Sequence, residues 1–196
     1  MTAEEYLVIE RQVESRNEYL DGEIWEMRGN VWQAGINSNL IWCLHRQSED
    51  SRVHVFNCGL RVRVNPTFYA YPDMSITAAE PQCEDEHEDS LLNPAVLIEV
   101  YSPLTEAFDR GKKFKLYRQM ESLAEYVLIA QNDVHVERFV RQPGGGWLFS
   151  ESRSLDDTIE MTSAGLTLKL ADVYHRVWQR QRVGDKQVMP PCRPEL

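Results

Sequence analysis

The chain has 196 residues, 42% of them hydrophobic, and a formal net charge of −10. That length suits one compact α/β domain with a real core, and the acidic balance argues against a general nucleic-acid coat protein. No window approaches 18 consecutive apolar residues, no apolar run follows the acidic start, and Cys43, Cys58, Cys83 and Cys192 form no C-x-x-C pair; a membrane span, a secretory signal, a cysteine zinc site and a disulfide framework are therefore not expected, and a reducing cytoplasm is.

Thr2 with Glu5 fits a capping box, which opens a helix expected to run to about Leu20. Asp21-Gly22 signals a turn into a short alternating strand, Glu23–Met27. Ile36, Leu40, Cys43 and Leu44 recur at helical spacing and predict a second helix over 32–48. Strands are expected near 53–64 and 70–78, and the acidic stretch 79–93 reads as an exposed, solvated loop. Ala95–Val100 is an almost unbroken apolar run, the pattern of a central strand covered on both faces, and Ser102-Pro103 ends it. A helix over 107–122 follows, then strands at 126–130, around 134–139 and at 147–152, the last two joined by the Gly144–Gly146 turn. A last strand at 166–170 and a short helix at 171–178 complete the order, which predicts an α/β (α+β) fold with a mixed central sheet flanked by helices.

Three residues sit badly in this apolar framework. Asp73 follows Pro72 within a strand pattern, and Glu99 stands alone in the most apolar run of the chain. A lone carboxylate in a strand buried on both sides is costly unless it is paired or bound to a cation. On a helical wheel of roughly 100° per residue, Lys113 and Asp109 fall in the apolar arc of Leu116, Tyr117, Met120 and Leu123. Lys112, Lys115, Arg110 and Arg118 fall at its edges or outside. Two carboxylates with an inward lysine suit hard-cation chemistry on phosphate: Mg²⁺ takes oxygen ligands and activates water, and an ammonium stabilises developing charge. The residues alone also allow Asp73 as a turn carboxylate and Glu99–Lys113 as a buried structural ion pair.

Four stretches carry a resemblance: Arg16–Glu23, Tyr71-Pro72-Asp73, Ile98–Thr105 and Asp109–Tyr117, with Glu125–Leu128 following. In order and spacing they resemble the PD-(D/E)XK nuclease superfamily, and within it the Uma-type restriction-endonuclease family. The polar, Pro-containing composition of 179–196 predicts a loose C-terminal tail, and the resemblance implies a restriction-endonuclease-like domain over 1–178. It implies Asp73 and Glu99 as catalytic metal ligands, the Val100 carbonyl as a third ligand, Glu18 on the first helix as an accessory acid and Lys113 as the motif lysine, with Asp109 and Tyr117 in support. The cofactor would be Mg²⁺ or Mn²⁺. Lys112, Lys115 and Arg118 would meet nucleic acid, and a homodimer would act on DNA. Two departures stand out. The simple E-x-K spacing would put lysine at Tyr101, so the lysine must come from the helix. Relatives also commonly carry a histidine where this chain has Gln33.

The competing readings are a metal-dependent DNA endonuclease, a catalytically inactive binding or assembly module on the same fold, and a hydrolase of a small phosphorylated molecule. His45, His54, His87, His135 and His175 form no ligand-spaced pair and read as surface or satisfied structural histidines.

Overall fold

The computed structural model describes residues 1–49 and 51–177. Helix α1 (Ala3–Glu10) opens on the expected capping box, with the Thr2 amide donating to Glu5 (2.8 Å) and the Glu5 amide to Thr2 (3.2 Å). It ends at Glu10, not at Leu20. The Glu10 carboxylate accepts from the backbone and side chain of Asn17 at 2.8 and 2.9 Å, which turns the chain into strand β1 (Asn17–Leu20). Asp21 and Gly22, at φ 51° and 94°, then make the left-handed two-residue turn into β2 (Glu23–Glu26).

Helix α2 (Val31–Ser48) is capped by Asn30 and buries the predicted Ile36, Leu40, Cys43 and Leu44. The strand expected over 53–64 is two: β3 (His54–Asn57) and β4 (Arg61–Asn65), which join different sheets. The stretch over 70–78 likewise divides into β5 (Phe68–Ala70) and β6 (Met74–Thr77). Pro72, with no N–H, interrupts the ladder between them. The acidic stretch is more than a solvated loop. It carries β7 (Ser90–Leu91), parallel to β4. Its Asp85 and Asp89 pair with Arg11 at 2.7 and 2.8 Å, and Asp89 also pairs with Arg61 at 2.7 Å.

Strand β8 (Val96–Tyr101) is buried along its whole length, as its apolar run predicts. It pairs in parallel with β9 (Glu125–Ala130). Parallel neighbours need a crossover, and the crossover here passes over one face of the sheet. It consists of α3 (Glu106–Phe108), a π-helical turn (Asp109–Lys113) and α4 (Phe114–Tyr117), shorter and less regular than the helix expected over 107–122. The hairpin β10 (Val136–Arg141) and β11 (Trp147–Ser152) follows. A second hairpin, β12 (Thr158–Met161) and β13 (Leu166–Lys169), includes one strand the sequence did not suggest, and α5 (Leu170–Val173) is shorter than expected. Residues 178–196, including the expected tail, lie outside the described residues.

The central sheet has the order β11-β10-β9-β8-β6-β3 and is mixed, with β8–β9 its parallel pair; a five-stranded sheet has the order β2-β1-β5-β4-β7. Alternation along β8 and β9 builds two cores. Val96, Ile98, Val100, Val127 and Ile129 pack with Ile36, Leu40 and Leu44 of α2. Leu97, Tyr101, Tyr126 and Leu128 pack with Tyr117 of the crossover and with Leu20, Val62 and Phe68 of the smaller sheet. Each such apolar side chain contributes about 1.5–3 kcal/mol on burial. Glu99 shares the parity of Leu97 and Tyr101, so it faces the crossover.

Candidate active site

Asp73 stands where β6 begins. The ladder between β6 and β8 runs from Ile76↔Val96 to Met74↔Ile98. One step further, the Asp73 carboxylate replaces the missing strand and accepts the Val100 N–H at 2.7 Å. Two amides from successive turns of α2 hold it from the other side: Asn37 Nδ2 donates at 2.5 Å and Gln33 Nε2 at 3.0 and 3.2 Å to its two oxygens. Asn37 escaped the sequence reading, and Gln33 entered it only as the place of a missing histidine, not as a residue of the site. Their spacing of four on a helix opposite the Asp73 strand was the available signal.

Glu99 lies beneath the crossover. Its Oε1 accepts from the Tyr117 hydroxyl at 2.7 Å and forms an ion pair with Lys113 Nζ at 2.9 Å. Lys113 also donates to Glu18 Oε1 at 2.8 Å, and Glu18 Oε1 accepts the Tyr71 N–H at 3.1 Å. Glu18 therefore reaches the site from β1, not from the first helix as expected. It shares a face of that strand with Leu20. Asp109, one turn before Lys113, is buried beside it, as the wheel indicated, and Lys112, Lys115 and Arg118 are exposed. The π turn sets these faces. Tyr101, at the E-x-K position, instead accepts a hydrogen bond from Arg110 at 2.8 Å.

The charges do not balance. Glu18, Asp73, Glu99 and Asp109 are 4–6% exposed, and the one ammonium among them, Lys113, is 3% exposed. Burial raises the pKa of Asp73, against the Val100 N–H and the Asn37 and Gln33 amides that lower it. Burial likewise raises Glu99, with Lys113 opposing and Asp109, Asp73 and Glu18 adding to the rise. Asp109 is also raised by burial. Lys113 moves the other way in effect: burial disfavours its charge, but Glu18, Glu99 and Asp109 outweigh burial and hold it an ammonium. One cation shared among four carboxylates explains the asymmetry. The cation is over-compensated, and Asp73, Glu99 and Asp109 are under-compensated.

This excess of negative charge, carried on hard oxygen donors, fits a divalent cation. Oε1 of Glu99 is engaged, while its Oε2 accepts no hydrogen bond among the described residues. The Val100 carbonyl projects from the same strand edge as the N–H that reaches Asp73, since both groups of a strand residue lie on one side. Asp73 and Lys113 do not touch; they are linked through Val100 and Glu99, which are adjacent in β8.

The sequence matches the family profile of Uma2, described as "Putative restriction endonuclease", over residues 3–172. It is 30% identical over 178 residues to the uncharacterized protein slr1290 of Synechocystis sp. (strain ATCC 27184 / PCC 6803 / Kazusa), covering 89% of this chain and 91% of that one. It is also 30% identical over 164 residues to the uncharacterized protein sll1609 of the same organism, covering 83% and 93%. Its fold matches the crystal structure of a "putative nuclease belonging to DUF820" from Anabaena variabilis ATCC 29413 with a TM-score of 0.69 at 17% identity, over 89% of this chain and 97% of that one.

Proposed function

The chain belongs to the Uma2 family, and from that premise we propose that it is a metal-dependent DNA endonuclease that hydrolyses phosphodiester bonds. The observation that carries the reading is the buried excess of carboxylate charge around Lys113, built on oxygen donors from four separate elements. Asp73, Glu99 and the Val100 carbonyl would hold Mg²⁺ or Mn²⁺, with Glu18 and Asp109 adding negative charge. The chemistry such an ion supplies is polarisation of the phosphate and a lowered pKa for coordinated water.

The chain's own residues do the rest. The Gln33 and Asn37 amides and the Val100 N–H fix the Asp73 carboxylate in one orientation. Tyr117 fixes Glu99 in the same way. Lys113 is held as an ammonium by its neighbours. It therefore stabilises charge on phosphate oxygens or donates a proton; it does not abstract one. Lys112, Lys115 and Arg118 lie exposed on the same crossover and would contact backbone phosphates. A homodimer, one active site per strand of the duplex, belongs to this proposal.

One observation favours a second reading, an inactive binding or assembly module on the same fold: Lys113 already bridges Glu18 and Glu99 directly, as a self-contained ion-pair network would. Cleavage of supercoiled DNA with Mg²⁺ and with Mn²⁺ separates the two, comparing wild type with Asp73→Ala. Metal-dependent nicking lost in the variant supports the nuclease. Equal background in both, with either metal, leaves the module.

A further inference from the structure

A second convergence of metal donors lies on the β10–β11 hairpin, outside the acidic site. Glu137 of β10 and Glu151 of β11 are direct partners across the antiparallel ladder. Like charges so placed repel, which costs stability unless something between them is positive. His135 stands two residues before Glu137 and so projects to the same face. The donor atoms of the three side chains all lie within 4.8 Å of one another.

The hydrogen bonding around this group leaves it incomplete. Glu137 is 4% exposed, and its Oε1 accepts from Arg110 Nη1 at 2.8 Å. Its Oε2 is shut off from solvent with no hydrogen-bond partner among the described residues. The His135 ring is held from behind: its Nδ1 lies 3.1 Å from the Tyr101 hydroxyl, which Arg110 fixes at 2.8 Å. That leaves His135 Nε2 facing the carboxylates, 3.2 Å from Glu151 Oε2. A ligand imidazole oriented through its other nitrogen is the usual arrangement in metal sites. Glu151 also accepts from Arg153 at 3.1 Å and is half-exposed, so the group opens to solvent on that side.

We infer that His135, Glu137 and Glu151 form a second metal site, for a divalent transition ion of the Zn²⁺ class. One imidazole and two carboxylates suit a borderline ion better than Mg²⁺, which favours oxygen alone. The ion would cancel the Glu137–Glu151 repulsion, supply a partner for the orphaned Glu137 oxygen and displace the exposed Arg153 from Glu151. It would also clamp the edge hairpin to Tyr101 at the end of β8. The inference does not depend on the nuclease reading.

The test is calorimetric titration of the full-length protein with Zn²⁺ in saturating Mg²⁺, repeated with Co²⁺ followed by absorption. The expected result is one Zn²⁺ bound per chain, at least tenfold weaker in Glu151→Gln and in Glu137→Gln and unchanged in Glu99→Gln. The Co²⁺ spectrum should lack a thiolate charge-transfer band. Glu151→Gln is the decisive variant, because its half-exposed side chain bonds only the His135 ring and the exposed Arg153 among the described residues. No Zn²⁺ uptake, unchanged affinity in Glu151→Gln, loss in Glu99→Gln, or a thiolate band would each overturn the assignment.

Discussion

Replacing Glu99 with Gln removes one formal charge from the buried cluster and keeps the side-chain shape. The remaining carbonyl oxygen still accepts from the Tyr117 hydroxyl, which reaches Oε1 at 2.7 Å, and keeps its dipole beside Lys113, 2.9 Å from that oxygen. Burial pushes the Glu99 carboxyl from 4.5 up to about 8. A raised carboxyl favours the neutral form in the folded state, so its contribution is fully present below 4.5 and is lost as pH rises through about 8. At about 1.4 kcal/mol for each pH unit above the ordinary value, the proton that folded Glu99 keeps near pH 7.5, and the unfolded chain has released, costs on the order of 2–4 kcal/mol of stability. Glu99→Gln should therefore be more stable than wild type in EDTA by that amount, roughly 5–12 °C in Tm for a domain of this size. The gap should close as pH falls to about 4.5, where wild-type Glu99 is neutral as well. In millimolar Mg²⁺ the wild type should gain stability and the variant should not, while cleavage is lost in the variant. Urea unfolding at pH 7.5, with and without Mg²⁺, measures each point. If the variant is less stable than wild type in EDTA by more than about 1 kcal/mol, the Lys113 attraction outweighs the excess charge. The cluster would then be a structural ion-pair network.

Lys113→Met should destabilise the metal-free protein by about 3–5 kcal/mol, since it strands Glu18 and Glu99 without their shared cation; urea unfolding reads the loss. Asn37→Ala removes one of the donors that orient Asp73 and should lower the cleavage rate about 10–100-fold at saturating metal with little change in Tm, as single-turnover kinetics would show. The hydrogen bond from Arg11, helped by Arg61, holds the Asp89 carboxyl well below the usual carboxylate range. Its contribution is therefore present above an ordinary value near 3.8 and lost as pH falls below it. Asp89→Asn should cost about 1–2 kcal/mol at pH 7, discounted for partial exposure, and the deficit should shrink below pH 3.8 in thermal melts taken across pH.

Local periodicity and chemical misfit were readable along the chain. The apolar run of β8 marked a strand buried on both faces, and Glu99 within it was legible as a charge that needs a partner. The spacing of Leu116, Tyr117 and Met120 turned Lys113 and Asp109 inward and left Lys112, Lys115 and Arg118 outside, because residues four apart keep to one face in an α turn and in the π turn the chain adopts here. Thr2 with Glu5, Asp21-Gly22 and Ile36–Leu44 likewise carried their own signals. That Asn17–Leu20 is a strand emerges from long-range pairing alone, since four residues are too few to show a period and their partner β5 lies about fifty positions along the chain. That pairing delivers Glu18 to Lys113. The same holds for the grip of Gln33 and Asn37 on Asp73 and for the meeting of His135 with Glu137 and Glu151. Side-chain chemistry is written residue by residue. Which side chains share a cation is settled by strand pairings and packing between distant segments, and these have no local signature.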